Sequence, residues 1–267
     1  MTKTETPGTL LTEMRAVAPL VQCITNYVAM NVAANVLLAA GASPAMVHAQ
    51  EEAGEFAGFA GALTVNIGTL SPAWVDGMKA AIGGATGGRR PWVLDPVAHF
   101  ATEFRRKATA ELLALGPTIV RGNASEIIAL AGGVSSAKGV DSRDPVEQAE
   151  EAARRLAETR GCIVAVTGIT DFVTDGGRAA RVEGGSPLMP KVTALGCSLT
   201  CLVGAYAAMR PDDPFDATVA ALAHFAVAGE QAGNEAQGPG SFAVRFLDLL
   251  AEVDGAMLDN RARVVRP

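Results

Sequence analysis

Residues 63–95 read LTVNIGTLSPAWVDGMKAAIGGATGGRRPWVLD, and this run decides the fold. It opens on a short β-branched stretch, Leu63-Thr-Val-Asn-Ile67, and passes through an Ala- and Gly-rich segment of helical period, Pro72–Ile82. It closes on a second apolar run, Trp92-Val-Leu-Asp95. A strand, a helix and a strand in succession describe a right-handed crossover between parallel neighbours. The same alternation extends both ways. Further strands are predicted at Val21–Thr25, Ala45–His48, Thr118–Arg121 and Ile163–Thr167. Helices are predicted at Tyr27–Ala40, Glu51–Ala62, Thr102–Leu115, Ala124–Leu130 and Pro145–Thr159. Continuous apolar runs such as Ile163-Val-Ala-Val166 fit a sheet covered on both faces. The expectation is a layered α/β/α domain around a mostly parallel sheet.

Past residue 170 the pattern changes. Asp171–Asp175, Gly176-Gly177 and Arg178–Val182 read as a β-hairpin, the two glycines supplying the positive φ of a tight turn. Three helical segments follow without a clear strand between them: Leu195–Met209, Pro214–Ala232 and Ser241–Val253. Gly132–Asp144 reads as the least structured region. Neither a repeat nor a long flexible linker divides the 267 residues, so one domain over 1–267 is expected.

Composition narrows the function. Hydrophobic residues make up 49% and aromatics only 5%, which favours small-residue helix packing over an aromatic binding surface. The net charge is −6 and the basic residues are scattered, so nucleic acid is not an expected partner. Arg89-Arg90 and Arg105-Arg106-Lys107 read as solvated loop or helix faces. The four cysteines (Cys23, Cys162, Cys197 and Cys201) form no dense framework, which suits a reducing compartment. The opening MTKTETPGTL lacks a basic-then-apolar pattern, and no apolar run reaches the roughly 18 residues of a membrane span. A soluble, cytoplasmic protein is expected.

In a parallel sheet, ligands gather at the carboxyl ends of the strands. Asn26, Met46, Asn66 with Gly68, Asp95, Arg121 and Thr167-Gly168 all fall in or just after predicted strands and make a polar rim. Asp95 before Pro96 is a turn former, or a carboxylate for a hydrated magnesium bridging phosphates. Asn123 and Glu126 make an N-cap with its capping-box partner, or Glu126 serves a metal; the residues alone leave both open. Arg121 is harder to read as a plain turn or loop residue, because an arginine at a strand's carboxyl end tends to meet an anion. The strongest local signal is Val192-Thr-Ala-Leu-Gly-Cys-Ser-Leu-Thr200, where a helix is predicted to start near Gly196. Free N–H groups and the dipole's positive end would converge there, suited to the charge of a transferring phosphoryl group. Cys197 in that first turn is expected to have a lowered thiol pKa, while Cys201 one turn on reads as buried filler. No further Cys or His stands at zinc-ligand spacing. No lysine follows a glycine, so no Walker-type phosphate loop exists, and no glycine fingerprint follows the first strand. There is no G-x-S-x-G, and His48, His99 and His224 are too scattered to read as a ligand set.

These segments resemble the hydroxyethylthiazole kinase family, of the ribokinase-like superfamily, over nearly the whole chain. The resemblance is carried by Cys23–Asn31, Gly41–His48, Asn66–Thr69, Trp92–Val97, Arg121–Glu126 and Gly196-Cys197. It implies a three-layer ribokinase-like fold and phosphorylation of 4-methyl-5-(2-hydroxyethyl)thiazole by ATP with Mg²⁺, a step of thiamine salvage. It implies that Met46 contacts the thiazole and that the Ala194 N–H touches the substrate. Arg121 and Thr167 would bind ATP phosphates, Asp95 and Glu126 would organise magnesium, and Cys197 would stand where related kinases carry an aspartate base. A homotrimer with active sites at subunit contacts is also implied. Two departures stand out. The family pattern Thr-Gly-x-Gly-Cys is here Thr193-Ala-Leu-Gly-Cys197, and the small, glycine-containing loop after Asp-Pro-Val is here Ala98-His-Phe-Ala101. They open two alternatives: a kinase for another small alcohol, such as a hydroxymethylpyrimidine, or a weakly active or non-catalytic thiazole-binding homologue.

Overall fold

The computed structural model describes residues 5–133 and 146–267. Helix α1 (Pro7–Val17) leads into β1 (Leu20–Ile24). There follow α2 (Met30–Ala40), β2 (Ser43–Ala45), α3 (Gln50–Phe59), β3 (Ala62–Asn66), α4 (Pro72–Gly87) and β4 (Trp92–Asp95). Next come α5 (Glu103–Leu113), β5 (Ile119–Asn123), α6 (Ala124–Leu130), α7 (Val146–Arg160) and β6 (Ile163–Thr167). The strands β7 (Thr170–Thr174) and β8 (Ala179–Glu183) precede α8 (Leu195–Ala207), α9 (Phe215–Glu235), α10 (Pro239–Glu252), α11 (Gly255–Arg261) and β9 (Arg263–Val265). The nine strands form one sheet in the order β2-β1-β3-β4-β5-β6-β7-β8-β9. The first six run parallel and the last three antiparallel.

The layers follow from the two-residue period of the strands. Val21, Cys23, Val93, Ile119, Ile163 and Ala165 face a core shared with α1, α2, α8, α9 and α10. Their neighbours Ile24, Leu94, Val120, Val164 and Val166 face a second core shared with α3, α4, α5, α6 and α7. Every residue of β3 and β4 is buried, as a doubly covered sheet requires. The three-layer α/β/α architecture is therefore the one expected.

The differences are local. The strand expected at Ala45–His48 lies at Ser43–Ala45, because Pro44 is tolerated on the sheet edge, where β2 pairs only with β1. The helix expected from Tyr27 starts at Met30, since the Asn26 side chain accepts the Val28 and Ala29 N–H groups and turns the chain first. In the hairpin only Gly176 has positive φ (97°); the Asp175 carboxylate completes the turn by accepting from the Gly177 and Arg178 N–H groups. Residues 134–144 of the Gly132–Asp144 segment lie outside the described residues. Helices α1 and α11 and strand β9 were not anticipated; α1 is capped by the Thr6 hydroxyl and buries Leu10, Leu11 and Met14.

Candidate active site

The sheet order turns a list of loop residues into a line. Met46 follows β2, Asn26 follows β1, Asn66 ends β3, Asp95 ends β4, Arg121 lies in β5 and Thr167 ends β6. These strands are adjacent in that order, so the line spans roughly 24 Å at about 4.8 Å per strand. Asp95 lies near its middle.

Hydrogen bonds knit the centre together, and their polarity follows from chemistry. The Asp95 carboxylate is an acceptor, so Asn66 must present its amide nitrogen, Nδ2 to Oδ2 at 2.8 Å. That leaves Asn66 Oδ1 to accept from the Gly68 N–H (2.9 Å) and from Asn26 Nδ2 (2.9 Å). Asn26 Nδ2 also donates to Cys197 Sγ at 3.3 Å. The cysteine sulfur is thus an acceptor in this chain of bonds. Thr200, one turn further along α8, donates to the same Asp95 oxygen at 2.7 Å. A Cβ on Gly68 would lie 2.5 Å from Asn26 Nδ2, so only glycine lets that turn press against the network.

The anion-binding half is built by α8 and Arg121. The first amide of α8 to close on the helix is Ser198, on the Ala194 carbonyl, and no side chain caps the helix. The N–H groups of Leu195, Gly196 and Cys197 therefore have no intrahelical acceptor and point out of the helix end. Arg121 lies across this turn: a Cβ on Gly196 would sit 3.2 Å from its Nη1. The guanidinium pairs with Asp95 at 3.6 Å and donates to Thr167 Oγ1 at 2.5 Å, while its buried Nε has no hydrogen-bond partner among the described residues. Thr167 starts the β6–β7 turn, which Asp171 fixes by accepting the Gly168 N–H.

The carboxylates are strained electrostatically. Asp95 is fully buried, and that burial raises its pKa against the opposing pull of Arg121 and its hydrogen bonds. Glu126 is pushed up to about 7, first by burial and then by the Asp95 charge. The capping box is real: Asn123 Oδ1 accepts the Glu126 N–H, and Glu126 Oε2 accepts the Asn123 N–H. Glu126 Oε1 accepts from the Ala98 N–H at 2.9 Å. Among the described residues Asp95 Oδ1 is buried without a hydrogen-bond partner. Among the described residues no three metal-capable side chains cluster. Two hard oxygen donors, one of them orphaned, suit a cation such as magnesium that takes its other ligands from phosphate and water.

Cys197 departs from expectation. Its thiol is pushed up to about 12, by burial first and then by the nearby Asp95 charge. Desolvation and a like charge outweigh the helix dipole, so the lowered value expected of a first-turn thiol is not found. Cys201 is buried beside Thr64, as expected of filler. Met46 is half-buried against the core, and its strand β2 lies next to β1, the strand that Asn26 of the network follows.

A family model described as the hydroxyethylthiazole kinase family matches residues 11–255. The chain belongs to that family. It is 71% identical over 262 residues to a hydroxyethylthiazole kinase of Rhizobium rhizogenes, covering 98% of each. A hydroxyethylthiazole kinase of Cereibacter sphaeroides is 65% identical over 257 residues, covering 96% of this chain and 97% of that one. Among solved structures, hydroxyethylthiazole kinase from Pyrococcus horikoshii superposes with a TM-score of 0.89 at 38% identity, covering 98% of both chains. Staphylococcus aureus pyridoxal kinase with ADP shares the fold, with a TM-score of 0.61 at 16% identity over 93% of this chain.

Both departures from the hydroxyethylthiazole kinase pattern fall on left-handed backbone. Ala194 has φ 64° and Ala98 has φ 46°, positions that glycine would occupy without strain. His99 turns inward: it is buried, with its imidazole edge against Phe100, rather than projecting from the loop. Sequence reading missed how the site is held. Asn26 and Asn66 were recognised as rim residues but not as one network, and Thr200 and Arg105 were not singled out. Arg105 is not a solvated charge: it is half-buried and grips main-chain carbonyls behind the site. Arg106 likewise donates to the Phe100 carbonyl.

Proposed function

We infer that this chain transfers the γ-phosphoryl group of ATP to the hydroxyl of 4-methyl-5-(2-hydroxyethyl)thiazole in thiamine salvage. The observation that carries the reading is the open N-terminus of α8 with Arg121 laid across it beside buried Asp95. Relatives named hydroxyethylthiazole kinase at 65–73% identity supply the acceptor. In the reaction an O–P bond forms to the primary alcohol, the bond from Pγ to the β,γ-bridging oxygen breaks, and ADP and one proton leave.

Each residue then has a task. Arg121 and Thr167 hold the phosphates on the β5–β6 side, and the α8 amides meet the charge that develops in the transition state. Met46 and the Ala194 N–H hold the thiazole alcohol on the β2 side. Magnesium, when bound through Asp95 and Glu126, supplies charge neutralisation for the triphosphate. Cys197 positions the hydroxyl; a neutral thiol suffices because a loose transition state needs little deprotonation of the attacking oxygen. The enzyme works as one domain over 1–267, supported by the unbroken nine-strand sheet. We place it in the cytoplasm as a homotrimer, with exposed Tyr27 and Val28 directly beside Asn26 available for a subunit contact.

ATP-dependent formation of the thiazole phosphate by folded protein is the test, and its absence removes this substrate. A second reading, another small alcohol as acceptor, is favoured by the Ala98–Ala101 loop that differs from the family pattern. A panel including hydroxymethylpyrimidine separates the two by preferred kcat/KM.

A further inference from the structure

Beyond the last rung of the β3–β4 ladder, where the Ile67 N–H meets the Asp95 carbonyl, the two chains diverge and their carbonyls lose strand partners. One side chain satisfies three of them. Arg105 Nη1 donates to the Ile67 carbonyl at 2.8 Å and the Val97 carbonyl at 3.0 Å, and Nη2 donates to the Gly68 carbonyl. The position follows from the helix: Thr102 caps α5 by accepting the Arg105 N–H, so Arg105 lies in the first turn. Helical side chains lean towards the N-terminus, and this one sweeps back over the loop that precedes its own helix.

What those turns carry matters. The Ile67-Gly68 turn follows Asn66, donates the Gly68 N–H to Asn66 Oδ1, and presses on Asn26, which donates to Cys197. Val97 stands two residues past Asp95, and its neighbour Ala98 donates to Glu126. Arg105 thus ties together the two arms that aim Asn66 and Asp95. Arg121 and Thr167, on β5 and β6, lie outside its grip.

We propose that Arg105 is a positioning residue for phosphoryl transfer, its planar fork fixing the Asn66 and Asp95 turns against each other so that the Asp95–Asn66–Asn26–Cys197 chain keeps its geometry. A lysine cannot replace it, since one ammonium lacks the rigid multi-donor fork. This rests on the kinase reading above, and wild-type turnover of the thiazole alcohol is measured first so that the two stand or fall separately.

The test is Arg105→Ala and Arg105→Lys in the full chain, with kcat normalised to the folded fraction and KM for ATP measured beside it. Misplacement of reacting groups by 1 Å costs up to about 100-fold, so kcat of Arg105→Ala should fall at least tenfold while KM for ATP stays within about threefold. Guanidinium ion at low millimolar concentration should recover part of the lost kcat. Arg105→Lys should lose at least about fivefold, and it alone decides the matter if Arg105→Ala does not fold. If the wild type turns over and the variants lose only thermal stability, with normalised kcat unchanged, Arg105 merely braces the loop and the proposal is overturned. A fall in kcat matched by an equal rise in KM for ATP, or one that guanidinium leaves untouched, overturns it as well.

Discussion

Titrating kcat of the wild type and Cys197 variants from pH 7 to pH 10 distinguishes a base from a spacer. With the thiol pushed up to about 12, only about one molecule in 10⁴ carries a thiolate at pH 8. A thiolate base would therefore make kcat climb about tenfold per pH unit, roughly 1,000-fold across the range. The hydrogen-bond polarity predicts otherwise: Sγ accepts from Asn26 and the neutral thiol positions the alcohol, so kcat should be flat from about pH 8 upward. Glu126, pushed up to about 7, sets the acid-side decline. Cys197→Ser keeps an acceptor for Asn26 and should retain kcat within about tenfold. Cys197→Ala removes one hydrogen bond worth about 1 kcal/mol, leaving Asn26 Nδ2 its bond to Asn66, and should lose about fivefold. Assays under saturating ATP and alcohol, with product quantified directly, read both. A unit slope in log kcat between pH 8 and pH 10, together with a 1,000-fold loss in Cys197→Ser, would refute the positioning role.

Other perturbations follow from the same geometry. Arg121→Met leaves Asp95 and Glu126 without their cation; kcat/KM for ATP should fall at least ~100-fold and stability by about 3 kcal/mol, read by steady-state kinetics and denaturant titration. Ala194→Gly relieves left-handed strain of about 1 kcal/mol but adds a similar unfolded-state entropy, so Tm should barely move while kcat falls severalfold as the turn gains backbone freedom; an unchanged or higher kcat shows that Ala194 does not preorganise the turn. His224 is held neutral down to about 3 by burial, with its ring between the Tyr206 hydroxyl and the Leu250 carbonyl. Its pKa is lower folded than unfolded, so its contribution is complete above about pH 6.5 and is lost as the pH falls towards 3, about 2 kcal/mol of it by pH 5. Urea titrations at pH 7 and pH 5 should show His224→Gln losing that much less stability than wild type.

Periodicity carried the fold well and the site only in outline. Strands β3, β4 and β6 were legible because double burial makes their sequences continuously apolar, and a helix between them has one available handedness. Strand β2 was displaced in sequence because Pro44 looks like a breaker until its edge position is known. The rim residues were legible because strand ends are where they had to be. Their connections were not: that Asn26 meets Asn66 depends on β1 lying next to β3, a sheet-order fact with no local signature. Cys197 shows the same limit in electrostatics. A first-turn position argues for a lowered pKa, and only packing reveals burial and a carboxylate that outweigh it. Arg105 looked like one of three basic residues on a helix face, because main-chain carbonyls that need a donor leave no trace in side-chain sequence.

The two alanines in left-handed conformation bear on how the site is made rigid. Ala98 ends the Asp95 turn and Ala194 caps α8, so the strained positions flank the network on both sides. Each costs about 1 kcal/mol that the surroundings must impose. The surroundings are visible: the Ala98 N–H is held by Glu126, and the Val97 carbonyl before it by Arg105. At Ala194 the carbonyl accepts the Ser198 N–H, the first bond to close α8. A glycine at either place would relieve the strain and also widen the range of backbone states open to the loop. Alanine narrows that range at the two points where amide dipoles and a carboxylate must stay aimed at a developing charge. The strain is therefore consistent with preorganisation of the anion-binding turn, and it gives the Arg105 fork a reason to use three hydrogen bonds where a helix face would need none.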